Sequence, residues 1–98
     1  MNEALQEKLK QLPASPGVYF HKSASGEIIY VGKAAVLKNR VRQYFQDSRG
    51  RDNKTMALVA EIVDTDWVET ESEVDALFLE SEMVKRYMPR YNILLRDD

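Results

Sequence analysis

The chain has no cysteine, and only one histidine and one tryptophan, among its 98 residues. Without cysteine there is no disulfide framework and no thiolate metal site, a composition that fits a reducing cytoplasm. The lone His21 supplies neither a catalytic triad nor a zinc site by itself. No apolar run approaches the ~20 residues needed to cross a bilayer. The segment Met1–Gln6 also lacks the basic start and apolar stretch of a signal peptide. No internal repeat or low-complexity tract is present. A chain of this length makes one domain, 1–98, whose core buries roughly two-thirds of the unfolded surface.

The net charge is −2, which alone argues against a polyanionic partner. The distribution argues otherwise. Residues 33–54 carry Lys33, Lys38, Arg40, Arg42, Arg49, Arg51 and Lys54 against Asp47 and Asp52. Residues 61–82 are acidic throughout, and the chain turns basic again at Lys85, Arg86, Arg90 and Arg96. Such blocks make either an ordinary solvated surface or a basic face that phosphates can occupy.

Leu5, Leu9 and Leu12 share one helical stripe, Asn2 is a capping residue and Pro13 a stop, so 3–12 reads as a helix. Val18–His21 and Ile28–Val31 flank the turn Ser23-Ala24-Ser25-Gly26 and read as an antiparallel hairpin. With 23–26 as the loop, Lys22 faces Glu27, His21 faces Ile28 and Tyr19 faces Tyr30, both tyrosines on one face. Leu37, Val41, Tyr44 and Phe45 predict a helix over 36–46, with Arg40 and Tyr44 one turn apart. Asp47–Asn53 is a polar loop, expected to be mobile until Arg49 and Arg51 meet phosphate. Met56, Val59, Ala60 and Val63 mark a further helix, and 66–70 alternates as a strand. Ser72 and Asp75 resemble a capping box opening the longest helix, which ends before Pro89. The order implies an α+β fold: a small, mainly antiparallel three-stranded sheet flanked by helices.

Glu80 stands out on physical grounds. On a helical wheel, Val74, Leu77, Phe78, Val84 and Met88 form an apolar arc, flanked by Ala76, Met83 and Tyr87, and Glu80 lies inside it. A carboxylate there requires an arginine, a hydrogen-bond donor or a metal ion. Tyr19 and Tyr30 are good strand residues or else proton carriers. Lys33, Arg40 and Tyr44 are solvated helix-side residues or a phosphate clamp. Tyr91 and Asn92 cap and pack, or belong to the same site. Several nuclease chemistries can be set aside. There is no histidine–carboxylate cluster, no Glu-x-Lys after a strand aspartate, and no phosphate-binding glycine loop.

Gly17-Val18-Tyr19 followed by Tyr30-Val31-Gly32 resembles the paired motif of the GIY-YIG endonuclease superfamily. Tyr30–Ala34, Leu37–Val41 and Tyr44-Phe45 resemble the continuation of that motif in its UvrC branch. So does Glu73–Glu80 leading to Val84–Asn92. Val18 and Val31 replace the eponymous isoleucines, and Ala35 and Val36 stand where that branch often carries a basic residue.

The resemblance implies the GIY-YIG nuclease fold and hydrolysis of a DNA phosphodiester. In the UvrC branch this is the 3′ incision of nucleotide excision repair. A stand-alone nuclease of the superfamily, or a non-catalytic binding module, is the alternative. It implies Tyr19, Tyr30, Lys33, Arg40, Tyr44, Glu80 and Asn92 as the catalytic set, and Glu80 as the ligand of one Mg²⁺ or Mn²⁺. DNA would meet Gly32, Lys33, Lys38, Arg40, Arg42, Arg49 and Arg51, with Gly32 letting backbone and substrate approach. A free phenol ionises near pH 10, so a tyrosinate base near neutrality needs about 4 kcal/mol of help. Lys33 beside Tyr30 is expected to supply part of it, which favours Tyr30 over Tyr19. The resemblance further implies a bacterial cytoplasmic protein and an N-terminal domain of a longer chain. Damaged duplex DNA is met only in the full complex, and UvrB through regions outside these residues. The domain alone is expected to be monomeric and to nick DNA weakly, without selecting lesions.

Overall fold

The computed structural model describes residues 2–46 and 51–94. Helix α1 (Glu3–Leu9) opens at Asn2, whose side-chain oxygen accepts the Leu5 amide at 2.7 Å. It ends three residues before the expected Leu12, because Lys10, Gln11 and Leu12 bond to carbonyls three residues back and tighten the last turn. Leu5, Leu9 and Leu12 are all buried.

Strands β1 (Gly17–Lys22) and β2 (Ile28–Ala34) form the expected hairpin, and β3 (Asp64–Glu69) pairs with the other side of β1. The order is β2-β1-β3, all antiparallel. The register differs from the one the turn suggested. Lys22 pairs with Ile28, and after a bulge His21 pairs with Tyr30 and Tyr19 with Gly32. The turn is one residue longer than expected, since Ser23 donates to the Glu27 carbonyl, and the bulge adds another. A slip of two residues preserves sidedness, so Tyr19 and Tyr30 still share a face, as diagonal neighbours.

Central β1 is buried on both faces. Tyr19 lies in a core with Leu5, Leu9, Leu12, Ile29, Leu37, Val41, Leu58, Ile62 and Tyr91. Val18 and Phe20 point the other way, with Val31, onto Ala76 of α4. Helices α2 (Leu37–Gln43) and α3 (Asn53–Glu61) and the five-residue α5 (Arg90–Leu94) serve the first core, and α4 (Glu73–Tyr87) covers the second. Helix α2 has no side-chain cap. Its first amides, Leu37 and Lys38, donate instead to the Ser15 and Pro13 carbonyls at 2.9 and 3.0 Å. Ser72 caps α4 by accepting the Asp75 amide, and left-handed Met88 (φ 43°) ends it before Pro89.

The arc expected to bury α4 is corrected. Its inward stripe is Ala76, Leu79, Met83 and Val84, whereas Val74, Leu77, Phe78 and Met88 are 60, 47, 69 and 60 % exposed. Apolar residues occupy most of the circumference of α4, and small Ala76 lets the helix approach the sheet. Glu80 falls beside the inward stripe, so it does sit against apolar surface, on the Ala76, Met83 and Val84 side of the wheel rather than that of Val74, Leu77, Phe78 and Met88.

Candidate active site

Three tyrosines converge from three elements: Tyr19 on β1, Tyr30 on β2 and Tyr44 at the C-terminal cap of α2. The Tyr19 and Tyr44 hydroxyls are 2.8 Å apart. The Tyr30 ring centroid stands 6.3 Å from each of the other two. Gly32 makes the cluster possible. A Cβ there would lie 2.3 Å from both Cζ and Oη of Tyr19, so the phenol rests directly on the glycine. The space that a side chain at Gly32 would take is thus filled by Tyr19. Gly17, the first motif glycine, has the same character, since a Cβ would meet the Val68 carbonyl oxygen at 2.3 Å and Leu37 at 2.6 Å. Gly32→Ala should lower stability by about 1–3 kcal/mol through overpacking, because Tyr19 is only 2 % exposed and cannot swing out. A thermal melt with an unchanged midpoint would show that the ring has room to move.

His21 occupies the centre of this cluster. It is fully buried, its ring centroid 4.6 Å from that of Tyr44 and 5.2 Å from that of Tyr19. Nδ1 is 2.8 Å from Thr65 Oγ1, and Nε2 has no hydrogen-bond partner among the described residues. Burial pushes its pKa down to about 3, so the ring is neutral at physiological pH. An unfolded chain binds this proton below about pH 6.5, whereas the folded one does so only near pH 3. Stability should therefore fall as pH drops through that window, by at most about 1.4 kcal/mol per pH unit. Between pH 6.5 and 5 carboxylates contribute little, so the slope there belongs to His21. Urea unfolding of His21→Phe across this range should give a flatter profile; an unaltered slope would contradict the assignment.

Both strand tyrosines are held well above the ordinary phenol range, first by burial and next by the neighbouring Tyr44. The Glu80 charge pushes Tyr30 further up, and Arg40 pulls both tyrosines down. Glu80 from α4 and Arg40 from α2 thus act on the same phenol in opposite directions. Tyr30 is half-buried and Tyr19 closed off. Among the described residues Glu80 has no ion-pair partner, and no group of three or more histidines and acids could hold a metal. A site built on the lone Glu80 carboxylate would suit a hard cation that keeps most of its waters.

The open edge of β2 is closed at one point by Asn92. Its amide accepts from Val31 N–H at 2.8 Å and donates to Val31 C=O at 2.9 Å, in the manner of a short extra strand. Val31 lies between Tyr30 and Gly32, so Asn92 holds the backbone that carries both. Arg90 and Tyr91 anchor α5 in turn, through Glu61 of α3.

A family of UvrC-like GIY-YIG domains matches residues 15–93. The chain belongs to this family. It is 55 % identical over 93 residues to the UvrABC system protein C of Clostridium perfringens, covering 95 % of this chain and 15 % of that protein. It is 55 % identical over its whole length to the corresponding protein of Streptococcus gordonii, 16 % of whose length is covered. The chain therefore spans about one-sixth of the length of these relatives. The crystal structure of the GIY-YIG N-terminal endonuclease domain of UvrC from Thermotoga maritima, bound to magnesium as its catalytic divalent cation, superposes with a TM-score of 0.80. Identity to that domain is 34 %, with 94 % of this chain and 99 % of that one covered. The three-stranded antiparallel sheet with flanking helices is thus the GIY-YIG fold.

Within this GIY-YIG domain the expected site residues do not all gather. Tyr19, Tyr30 and Tyr44 do, and the charges of Arg40 and Glu80 reach Tyr30. Lys33 departs from expectation: it pairs with Val18, so it shares the sheet face of Val31 rather than that of Tyr30. The cation acting on Tyr30 is Arg40. The basic segment is divided as well. Arg40 and Lys33 line a cleft between α2 and α4, and Lys38 is exposed on α2. Arg42 lies across α2 in a groove with Gln6, Leu9 and Lys10 of the α1 region. Arg51 does not wait for phosphate, because its guanidinium donates to the carbonyls of Tyr44 (2.7 Å), Gln46 (3.3 Å) and Gln43 at the end of α2. Asp52 then caps α3 through the Thr55 amide. Arg49, with the rest of 47–50, lies outside the described residues. Sequence reasoning missed His21 as the hub of the tyrosine cluster; its alternation with Tyr19 was the available signal. It had no signal for Thr65, which only strand pairing brings opposite His21.

Proposed function

We propose that this domain hydrolyses a DNA phosphodiester, with Glu80 binding one Mg²⁺ or Mn²⁺, Arg40 holding the phosphate and Tyr30 acting as general base. The observation that carries this reading is that Glu80 and Arg40 both act on the half-buried Tyr30 of a GIY-YIG domain, while Glu80 has no ion-pair partner among the described residues. When bound, the cation supplies Lewis-acid charge to the scissile phosphate and its leaving oxygen. Arg40 neutralises charge on the phosphoryl oxygens, which its fork of donors matches. Neutralisation of Glu80 removes one of the influences that keep Tyr30 protonated, and Arg40 already favours the phenolate. Tyr30 can then take the proton of an attacking water. Tyr44 orients the array through its hydroxyl, Asn92 fixes the β2 backbone, and Lys33 meets the strand on the other sheet face.

The domain works as the N-terminal nuclease of a longer protein, 1–98 being one unit, and there makes the 3′ incision of excision repair in the bacterial cytoplasm. UvrB is met through regions outside this chain. Among the described residues no helix is long and apolar enough to cross a membrane. The test offers the chain, as a monomer, equal amounts of intact and lesion-bearing duplex with Mg²⁺, Mn²⁺ or EDTA. Cation-dependent nicking that weakens with salt and ignores the lesion is expected, since few phosphates can be met at once. Nicking that persists in EDTA would refute the metal role, and strong lesion preference would refute the division of labour.

A further inference from the structure

The cleft beside the tyrosine cluster has two unlike walls. One, from β2 and α2, carries Lys33, Asn39 and Arg40; the other, from the first turns of α4, carries Val74 and Leu77. Its volume is about 570 Å³, within the range of sites that enclose small ligands against apolar walls with a few polar groups. Val74 and Leu77 are 60 and 47 % exposed, so neither is needed inside the core. Glu73 stands on the same wall, two helical turns before Glu80, and disfavours a second phosphate there.

We propose that this cleft is a nucleotide subsite that seats the deoxyribose and base attached to the phosphate held at Arg40, with Val74 and Leu77 as its apolar floor. The inference rests on the nuclease reading above. It follows from chemistry: every phosphate in a strand is bonded to two deoxyriboses, so a phosphate gripped by the cationic wall brings an uncharged, flat and largely apolar group with it. The wall opposite is uncharged and apolar at Val74 and Leu77. Arg40 belongs both to this cleft and to the tyrosine site, so the two are continuous and a single strand can occupy them together.

The test compares binding, by fluorescence anisotropy in EDTA, of a mixed-sequence single-stranded oligodeoxynucleotide and of an abasic deoxyribose-phosphate oligomer of equal length. The wild-type chain should prefer the base-bearing strand by about tenfold. In Leu77→Asn and Val74→Asn this ratio should collapse towards one, chiefly through lost affinity for the base-bearing strand. Arg40→Gln should weaken both strands. Met56→Asn, which replaces an equally exposed apolar residue on α3, should preserve the ratio. A ratio in folded Leu77→Asn equal to that of wild type would overturn the subsite. So would concentration-dependent self-association that Leu77→Asn abolishes, which would assign the stripe to a second copy. Nicking by the wild-type chain in Mg²⁺ or Mn²⁺, assayed in parallel, separates the two readings. Nicking with unaltered ratios sinks the subsite alone, and absence of nicking sinks the nuclease assignment.

Discussion

Glu80→Gln should reduce cation-dependent cleavage by roughly a thousandfold or more, the several kcal/mol that a bound divalent ion contributes to a phosphoryl transition state. The same substitution should leave the fold intact. Glu80 has no ion-pair partner among the described residues, and glutamine keeps its shape, so stability should change by no more than about 0.5 kcal/mol. The combination is diagnostic. A structural carboxylate would lose stability with activity, whereas a metal ligand loses activity and cation binding together. Titration of Mn²⁺ into both proteins, beside thermal melts and nicking by the variant within a complete repair nuclease, reads all three quantities. Cleavage near the wild-type level would sink the metal role of Glu80.

Tyr30→Phe removes a single oxygen and should cost roughly 10²–10⁴-fold in cleavage rate, the usual contribution of a general base. Tyr19→Phe should cost less. Its hydroxyl is engaged by Tyr44 and its ring, at 2 % exposure, is closed to an attacking water. Tyr30 is half-buried and feels both Glu80 and Arg40, so the charges that govern its proton are those the substrate and cation would change. His21→Ala should act mainly on stability, because the ring is neutral and fully enclosed. Rates for the three variants under one set of conditions rank the roles. If Tyr19→Phe is the least active, the base is Tyr19 and the accessibility argument fails.

Local chemistry made much of the fold legible. Asn2 and Ser72 cap helices because their short oxygens reach amides a turn away, and both do so here. The hairpin turn, the stop before Pro89 and the sidedness of Tyr19 and Tyr30 are likewise properties of a few adjacent residues. The family motif, carried by Gly17, Tyr19, Tyr30, Gly32, Arg40 and Glu80, is equally a matter of order along the chain. α5 escaped because five residues are too few for a helical period to register.

Sequence by itself therefore determined most of the element types, the α+β class and the family. Tertiary structure decided what those residues face. The hairpin register turned on a bulge, which costs the chain one unpaired residue and leaves no mark in its alternation. The buried side of α4 was decided by where the sheet lies, since a wheel with apolar residues around most of its rim cannot say which of them meet it. Strand pairing sent Lys33 to the opposite face from Tyr30, and the end of α2 claimed Arg51. Contacts between residues distant in sequence depend on the packing of whole elements, and that packing brought the charges of Arg40 and Glu80 to bear on one phenol.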